Sequence, residues 1–498
     1  MPATSGNLAR FFHHSGVYAL GNIINRVGAF LLLPLYTNYL SVAEYGSLEL
    51  FYTVSSIVSG LLSVGIAHAT LRFYYEFESD ADRHKLVRTS FFAILGLGSI
   101  GALIVGLFSE PFTAAFFESN DYRWGLPLIL LTMVFELGSQ VCLAYIRATE
   151  RSMFFVGLAL AKLVLQVALN ALLVAKYHAG VEGVLLGNLV AVFAGWLILS
   201  IFTLKHCGIG FDRTKLIPVL KYSAPFLFST VLGLISGNID RVLIGTRISL
   251  AALGTYALAT KFSQLLTELV AEPFNRSYGA FRFSIMGKPG ASEMQERITR
   301  YFTLGLLAAG LGIALFTREL LMLTSQSQFW DAARYTPLLV IVAIVRAVAY
   351  PIQTGVLYGK RTTQLFYTKC LSTAICVPLI YAFIGPFGIG GVCVAILISS
   401  LAELMITDYW SQRIFQVSYH WWRVGIAGLL ATVLYLLALY LEPSHIWLAV
   451  LVKSFVWFTF IALVAASPAL HRDEVRGAQT FVTGMLQKVL RRAPAPAS

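Results

Sequence analysis

Apolar runs of membrane-spanning length follow one another along almost the whole chain, separated by short connections that carry most of its charge. A hydrocarbon layer offers the backbone no hydrogen-bond partner, so about 20 such residues cross it as a helix that satisfies its own amides. Fourteen spans can be drawn, near residues 13–35, 46–70, 89–108, 125–145, 154–175, 183–203, 223–244, 252–275, 301–317, 336–357, 367–384, 390–410, 424–441 and 446–465. The runs are continuous rather than alternating, which argues against a β-barrel. Only 12% of residues are charged, about half the share usual in a soluble domain. The sequence therefore predicts an all-α, polytopic membrane protein of about 14 transmembrane helices.

The formal net charge of +12 would suggest nucleic acid until the charges are placed. Connections on the N-terminal side of the membrane hold 26 Lys and Arg residues, among them Arg83, Arg151, Lys215, Arg297 and Arg413; those on the opposite side hold 5. Such a bias is a topology signal and predicts both termini in the cytoplasm. The first apolar stretch contains Asn22, Asn25 and Arg26 and lacks a small-residue cleavage site, so it is not read as a removable signal. A short amphipathic stretch, 481–490, ends in Arg491 and Arg492 and suits either the inner leaflet or a frayed tail.

The chain also repeats itself. Leu40–Gly46 after the first span matches Ile248–Gly254 after the seventh, and Leu71-Arg72-Phe73 matches Phe281-Arg282-Phe283. Gly46 to Gly183 and Gly254 to Gly391 both span 137 residues. A parallel duplication of six spans accounts for this. The predicted organisation is a first lobe over 1–203, a linker over 204–222, a second lobe over 223–410, two additional helices over 411–466 and a basic tail over 467–498.

Charged and amide side chains inside these spans are the candidates for function. In the eighth span Lys261, Gln264, Glu268, Glu272 and Arg276 recur every three or four residues and so form one stripe of a helix. A charge at the bilayer centre costs about 2.5–3.5 kcal/mol on insertion scales, which predicts that the stripe faces a wet interior. The alternative is that Glu268, Glu272 and Arg276 pair with one another and only fix packing. Polar rows occur in other spans: Asn22 with Arg26; Glu49 with Thr53; Glu136 with Gln140; Lys162, Gln166 and Asn170; Asn238, Asp240 and Arg241; Arg346, Tyr350 and Gln353. Singly, each is explained by hydrogen bonding between helices; together they predict a hydrated pathway. Arg26, Lys162 and Arg346 have no acidic neighbour on their own helices. A buried cation requires an anion, and the guanidinium fork suits phosphate, so an anionic, phosphate-bearing ligand is expected.

Gly96-Leu97-Gly98-Ser99-Ile100-Gly101 fits a dinucleotide-binding pattern but lies inside an apolar span, where close helix packing is the expected role. The chain has no phosphate-loop lysine motif, and its histidines lack metal-ligand spacing, so neither a metal nor an organic cofactor is expected.

Arg26-Val27-Gly28, Leu33-Pro34-Leu35-Tyr36, Leu40-Ser41 and Glu44-Tyr45-Gly46 resemble the opening of the polysaccharide flippases. These are the O-antigen and oligosaccharide exporters of the multidrug/oligosaccharidyl-lipid/polysaccharide superfamily. Gly254–Ala259 with Lys261, Tyr335–Leu339 and Gly359-Lys360-Arg361-Thr362 are similar too. The resemblance covers residues from about 10 to 410. It implies two six-helix lobes in a V, alternating access, and export of polyprenyl-pyrophosphate-linked sugars across the bacterial cytoplasmic membrane for polysaccharide, including lipopolysaccharide, synthesis. It also implies a basic cavity near the first helix and the start of the second lobe, comparable regions to those of Arg26 and Arg241.

The expected protein is thus a flippase and not an enzyme. Arg26, Lys162 and Arg346 would hold pyrophosphate, with Arg241, Lys261, Asn22 and Gln166 as further cavity residues. Glu268, Glu272 and Asp240 are the candidates for coupling to H⁺ or Na⁺. Polysaccharide polymerase and chain-length machinery are the expected partners. One alternative is a cation-coupled drug antiporter on the same scaffold, which calls for an acidic, aromatic cavity. Another is a membrane glycosyl polymerase or ligase, which calls for a sizeable outer loop.

Overall fold

The computed structural model describes residues 28–467, apart from residues 29, 64, 118–121, 123, 442 and 444. The 481–490 stretch lies outside these residues. Among them the ordered elements are helical, and no strand occurs. In chain order the helices are α1 (Leu33–Tyr39), α2 (Val42–Ser63), α3 (Ile66–Glu76), α4 (Asp80–Gly106), α5 (Ser109–Phe116), α6 (Gly125–Ala148), α7 (Ser152–Asn170), α8 (Gly180–Cys207) and α9 (Arg213–Arg247). They continue as α10 (Leu250–Leu266), α11 (Glu272–Ile285), α12 (Ala291–Thr324), α13 (Ala332–Ile352), α14 (Thr354–Tyr358), α15 (Thr362–Gln412), α16 (Trp421–Tyr440) and α17 (Ile446–Ala466).

Among the described residues, ten segments are long and apolar enough to cross a membrane. One of them, α15, has 51 residues, about 76 Å as a straight helix and more than twice the hydrocarbon thickness. Gly388, at φ 56° and ψ −137°, breaks it into two spans. A Cβ on Gly391 would lie 2.3 Å from the Phe383 carbonyl, whereas eight residues of straight helix cover about 12 Å. The chain therefore turns back there. The long helices α9 and α10–α11 are also of spanning length, although charge lowers their hydropathy. Adding these to the ten, and allowing for the first span, which lies mostly outside the described residues, gives about fourteen.

The chain forms two compact units. The first gathers the described residues up to Leu258 with Met322–Ala332 and Lys369–Ala395; the second holds Ala259–Leu321, Ala333–Thr368 and the described residues from Ile396 onward.

In the first unit α6 packs against both α4 and α8. Two glycines of the Gly96–Gly101 motif serve packing: a Cβ on Gly98 would meet Leu137 at 3.2 Å, and one on Gly101 would meet Leu62 at 2.3 Å, whereas Gly96 faces open space. Outside the spans, Asp212 caps α9 by accepting hydrogen bonds from the Thr214 hydroxyl at 2.6 Å and its amide at 2.9 Å. Those two bonds, the hydroxyl foremost, hold the Asp212 carboxyl below the usual carboxylate range.

The matched glycines of the repeat meet each other. A Cβ on Gly46 would stand 1.8 Å from the Leu250 carbonyl oxygen, and one on Gly254 would stand 2.2 Å from that of Val42. Each glycine thus faces the residue four before the other, as two copies related by a two-fold axis would place them. Gly180 and Gly388, in the same register of the two copies, both take left-handed backbone angles, at φ 54° and 56°.

The second unit has two apolar clusters. Leu304, Leu311 and Leu315 of α12 pack with Ala427, Leu434 and Ala438 of α16 and with Val456, Phe460 and Val464 of α17. Leu266, Ala271, Phe302 and Leu306 pack with Val340, Ile344 and Ile352. Two polar ties fasten α17 to α12: Trp457 Nε1 donates to the Ala308 carbonyl at 2.8 Å, and buried Lys453 pairs with buried Glu319.

This packing sets the expected stability of three variants. Lys453→Met leaves Glu319 buried without its ammonium and is expected to cost about 3–5 kcal/mol, whereas Lys453→Met with Glu319→Leu should recover most of it; unfolding midpoints of the single and double variants test this. Gly46→Ala should lower the midpoint, since the obstructing atoms are backbone and overpacking costs about 1–3 kcal/mol. Gly96→Ala, facing open space inside a helix, should leave the midpoint level or raise it.

Candidate functional site

Arg346 sits well inside the apolar α13, yet its side chain is exposed. Its Nε donates to the Ser400 hydroxyl at 3.1 Å, and among the described residues no carboxylate pairs with it. A guanidinium at that depth is not stable against hydrocarbon. The face of the second unit that carries Arg346 must therefore be wet. The hydroxyl orients the fork without neutralising it, so the positive charge has no counter-anion among the described residues.

The eighth-span stripe belongs to the same unit from Ala259 on, and its helix is not regular. A π-helical turn, Thr267–Ala271, separates α10 from α11. Pro273 stands two residues beyond its end; lacking an N–H and crowding the carbonyl four residues back, proline favours a widened turn at that point. Glu268 lies in this turn, half-buried, with no hydrogen-bond or ion-pair partner among the described residues. Glu272 instead pairs with Arg276 at 3.2 Å. The internal pairing weighed from the sequence thus holds for Glu272 and Arg276 and leaves Glu268 out. Lys261 is half-buried and Gln264 exposed.

In the first unit, Glu136 and Gln140 of α6 are exposed within a span, and the Glu136 carboxylate feels the charge of Lys162 on α7 without a direct ion pair. Lys162 lies over Gly195, where a Cβ would be 3.8 Å from its Cδ. It therefore has an acidic neighbour that its own helix does not show. Gln166 is held inside the unit: its Nε2 donates to Asn188 Oδ1 at 2.8 Å, Asn170 donates to the same oxygen at 3.1 Å, and Asn188 donates to the Tyr52 hydroxyl. This network ties α2, α7 and α8 together, and Asn188, its hub, was not legible from any row on a single helix.

Asp240 and Arg241 of α9 lie where Glu49 of α2 and Tyr256 of α10 converge. Tyr256 donates its hydroxyl hydrogen to Asp240 Oδ2, while Asp240 Oδ1 and Arg241 Nε are buried without a hydrogen-bond partner among the described residues. This acidic pair and its arginine stand close in sequence to the Gly46–Gly254 contact. Arg26 and Asn22 lie outside the described residues.

Comparison with known proteins agrees with this architecture. A family model described as "Polysaccharide biosynthesis protein" matches residues 12–278. An Lsg locus protein of Haemophilus influenzae is 21% identical over 382 residues, covering 75% of this chain and 91% of its own length. Among solved structures, the lipid II flippase MurJ in an inward closed conformation superposes with a TM-score of 0.70 at 12% identity, over 90% of this chain and 98% of that one. An inward-facing multidrug resistance transporter of the MATE family and MOP superfamily gives a TM-score of 0.59 at 14% identity, over 80% of this chain and 94% of that one. The fold is one that multi-pass membrane transporters share, and by the family match over more than half its length the chain belongs to the polysaccharide biosynthesis protein family.

Proposed function

We propose that this protein is a flippase that carries a polyprenyl-pyrophosphate-linked oligosaccharide from the inner to the outer face of the cytoplasmic membrane by alternating access. Membership of a polysaccharide biosynthesis family supports a role in that pathway, and a fold shared with transporters supports transport as the activity. The observation that carries the reading is Arg346: an exposed guanidinium within an apolar helix, oriented by Ser400 and with no carboxylate of its own among the described residues. A pyrophosphate is the ligand such a group suits, because two anionic oxygens match the fork of donors. The sugar would remain in water and the polyprenyl chain in lipid.

The excess of basic residues on one side of the chain supports a cytoplasmic location for that side and both termini. The reciprocal Gly46–Gly254 contact would then close the outer side, and its parting would be one half of the transport cycle. Glu268, unpaired in its π-helical turn, and Asp240, bonded to Tyr256, are our candidates for coupling to H⁺ or Na⁺. Glu272 is the weaker candidate because Arg276 already compensates it. Polymerase and chain-length proteins would use the delivered product.

The test is reconstitution in liposomes with a labelled polyprenyl-pyrophosphate oligosaccharide loaded on one leaflet. Wild-type protein should expose label on the other leaflet. Arg346→Gln should slow this on the order of 10- to 100-fold, the equivalent of a charged hydrogen bond of about 1.5–3 kcal/mol, with membrane insertion unchanged. An undiminished rate removes Arg346 from the site. Movement of cationic drugs but not of the glycolipid by the wild type would replace the reading with that of an antiporter.

A further inference from the structure

The two copies of the repeat each end a span with an arginine before phenylalanine, and they treat that arginine differently. In the first copy Arg72 donates from Nε to Glu76, one turn on, at 3.0 Å. Its guanidinium carbon lies 4.4 Å from the centre of the Tyr222 ring, and its side chain is half exposed. In the second copy the residue one turn on from Arg282 is Met286. The stacking is kept, with the Arg282 guanidinium carbon 5.0 Å from the Tyr350 ring centre and 4.9 Å from that of Phe283. The anion is not. Arg282 is only 8% exposed, and its Nε and Nη1 are buried with no hydrogen-bond partner among the described residues.

Its surroundings are arranged around Tyr350. Asn275, Gly279 and Arg282 share one stripe of α11. The Tyr350 hydroxyl donates to the Asn275 carbonyl at 3.3 Å. A Cβ on Gly279 would come within 3.2 Å of that hydroxyl, so the absence of a side chain there leaves room for the ring. The side-chain oxygen of Asn275 is likewise buried and unpartnered, and rotation of the amide would present its NH₂ instead. Neighbouring polar groups are already satisfied. Tyr278 donates to Gln295, whose Nε2 donates to the Pro351 carbonyl at 2.9 Å; Thr354 donates to the same carbonyl at 2.6 Å. Two carboxylates of this unit are also engaged, Glu272 with Arg276 and Glu296 with Arg300.

A buried guanidinium without a counter-anion is strongly unfavourable, and stacking on two rings offsets only part of that cost. We infer that Arg282, stacked on Tyr350 and flanked by Asn275, is a binding site for a phosphate or pyrophosphate group. The inference stands on α11 and on Tyr350 of α13, and does not depend on Arg346 or on the direction of transport. The phosphate can belong to the transported lipid, to a membrane phospholipid or to a free anion, and binding separates these sources.

The experiment uses the full-length protein, purified in detergent and stripped of phospholipid, with its unfolding midpoint followed against three probes: inorganic pyrophosphate, a polyprenyl pyrophosphate and phosphatidylglycerol. At least one should raise the wild-type midpoint saturably, with at least fivefold weaker apparent affinity in Arg282→Gln and no change in Arg276→Gln. A response to pyrophosphate alone identifies a headgroup site open to free anion. A response confined to polyprenyl pyrophosphate identifies the carrier lipid, and one confined to phosphatidylglycerol identifies a structural phospholipid. If Arg282→Gln does not fold, Arg282→Lys keeps the charge without the fork and should bind at least threefold more weakly. No saturable response to any probe, or one that every folded Arg282 variant retains in full, overturns the inference.

Discussion

A membrane interior gives a charged side chain no water to fall back on, and that constraint orders everything else in this molecule. Each ionisable group on a span must find a counter-charge, a hydrogen-bonding shell or an aqueous face. The three solutions occur side by side. Lys453 and Glu319 are both nearly inaccessible and pair with each other, so the charge is closed off and the pair serves only to dock α17 on α12. Gln166, Asn170 and Asn188 close a hydrogen-bonded network inside the first unit. Arg346 takes neither route; it is exposed and, among the described residues, held by a hydroxyl alone. The contrast sets Arg346 apart better than its position in the sequence does, because all of these residues look alike as polar interruptions of apolar runs.

The duplicated plan was legible in the chain and is sharper in three dimensions. Matching Gly46 with Gly254 rested on spacing; the structure makes them contact partners, each under the other copy's helical carbonyl. Such an approach has no give, because both obstructing atoms are main chain. It is either made in full or not made at all, as a two-state closure requires. A looser contact through flexible side chains would slide, and one through larger side chains would hold the helices apart.

What the sequence did not display is equally physical. Spans are visible because apolarity is local and additive along a helix. Partnerships are not, because they join helices far apart in the chain. Lys162 had no acid on α7, but α6 brings Glu136 within reach of its field. Asp240 stood beside Arg241 in sequence, yet its hydrogen-bond donor is Tyr256 on the next helix. The stripe from Lys261 to Arg276 assumed a regular α-helix, and the π-helical turn before Pro273 divides it. Glu272 and Arg276 lie together beyond that turn on α11 and pair, while Glu268 lies within it.

The division within this stripe bears on mechanism. A π-helical turn is a wide, weakly hydrogen-bonded register that persists only where its surroundings favour it, and relaxing it to α geometry would rotate α11 relative to α10. Glu268 lies within that turn, and Asn275, Gly279 and Arg282 lie beyond it on α11. A change in the charge of Glu268 and a change in the orientation of Arg282 would therefore be linked through one stretch of backbone. The linkage needs no pathway of side chains, only a helix with two registers and a proline that favours one of them. Phosphate binding at one end and ion binding at the turn would then bias the same two-state element, which is what coupling between two sites requires.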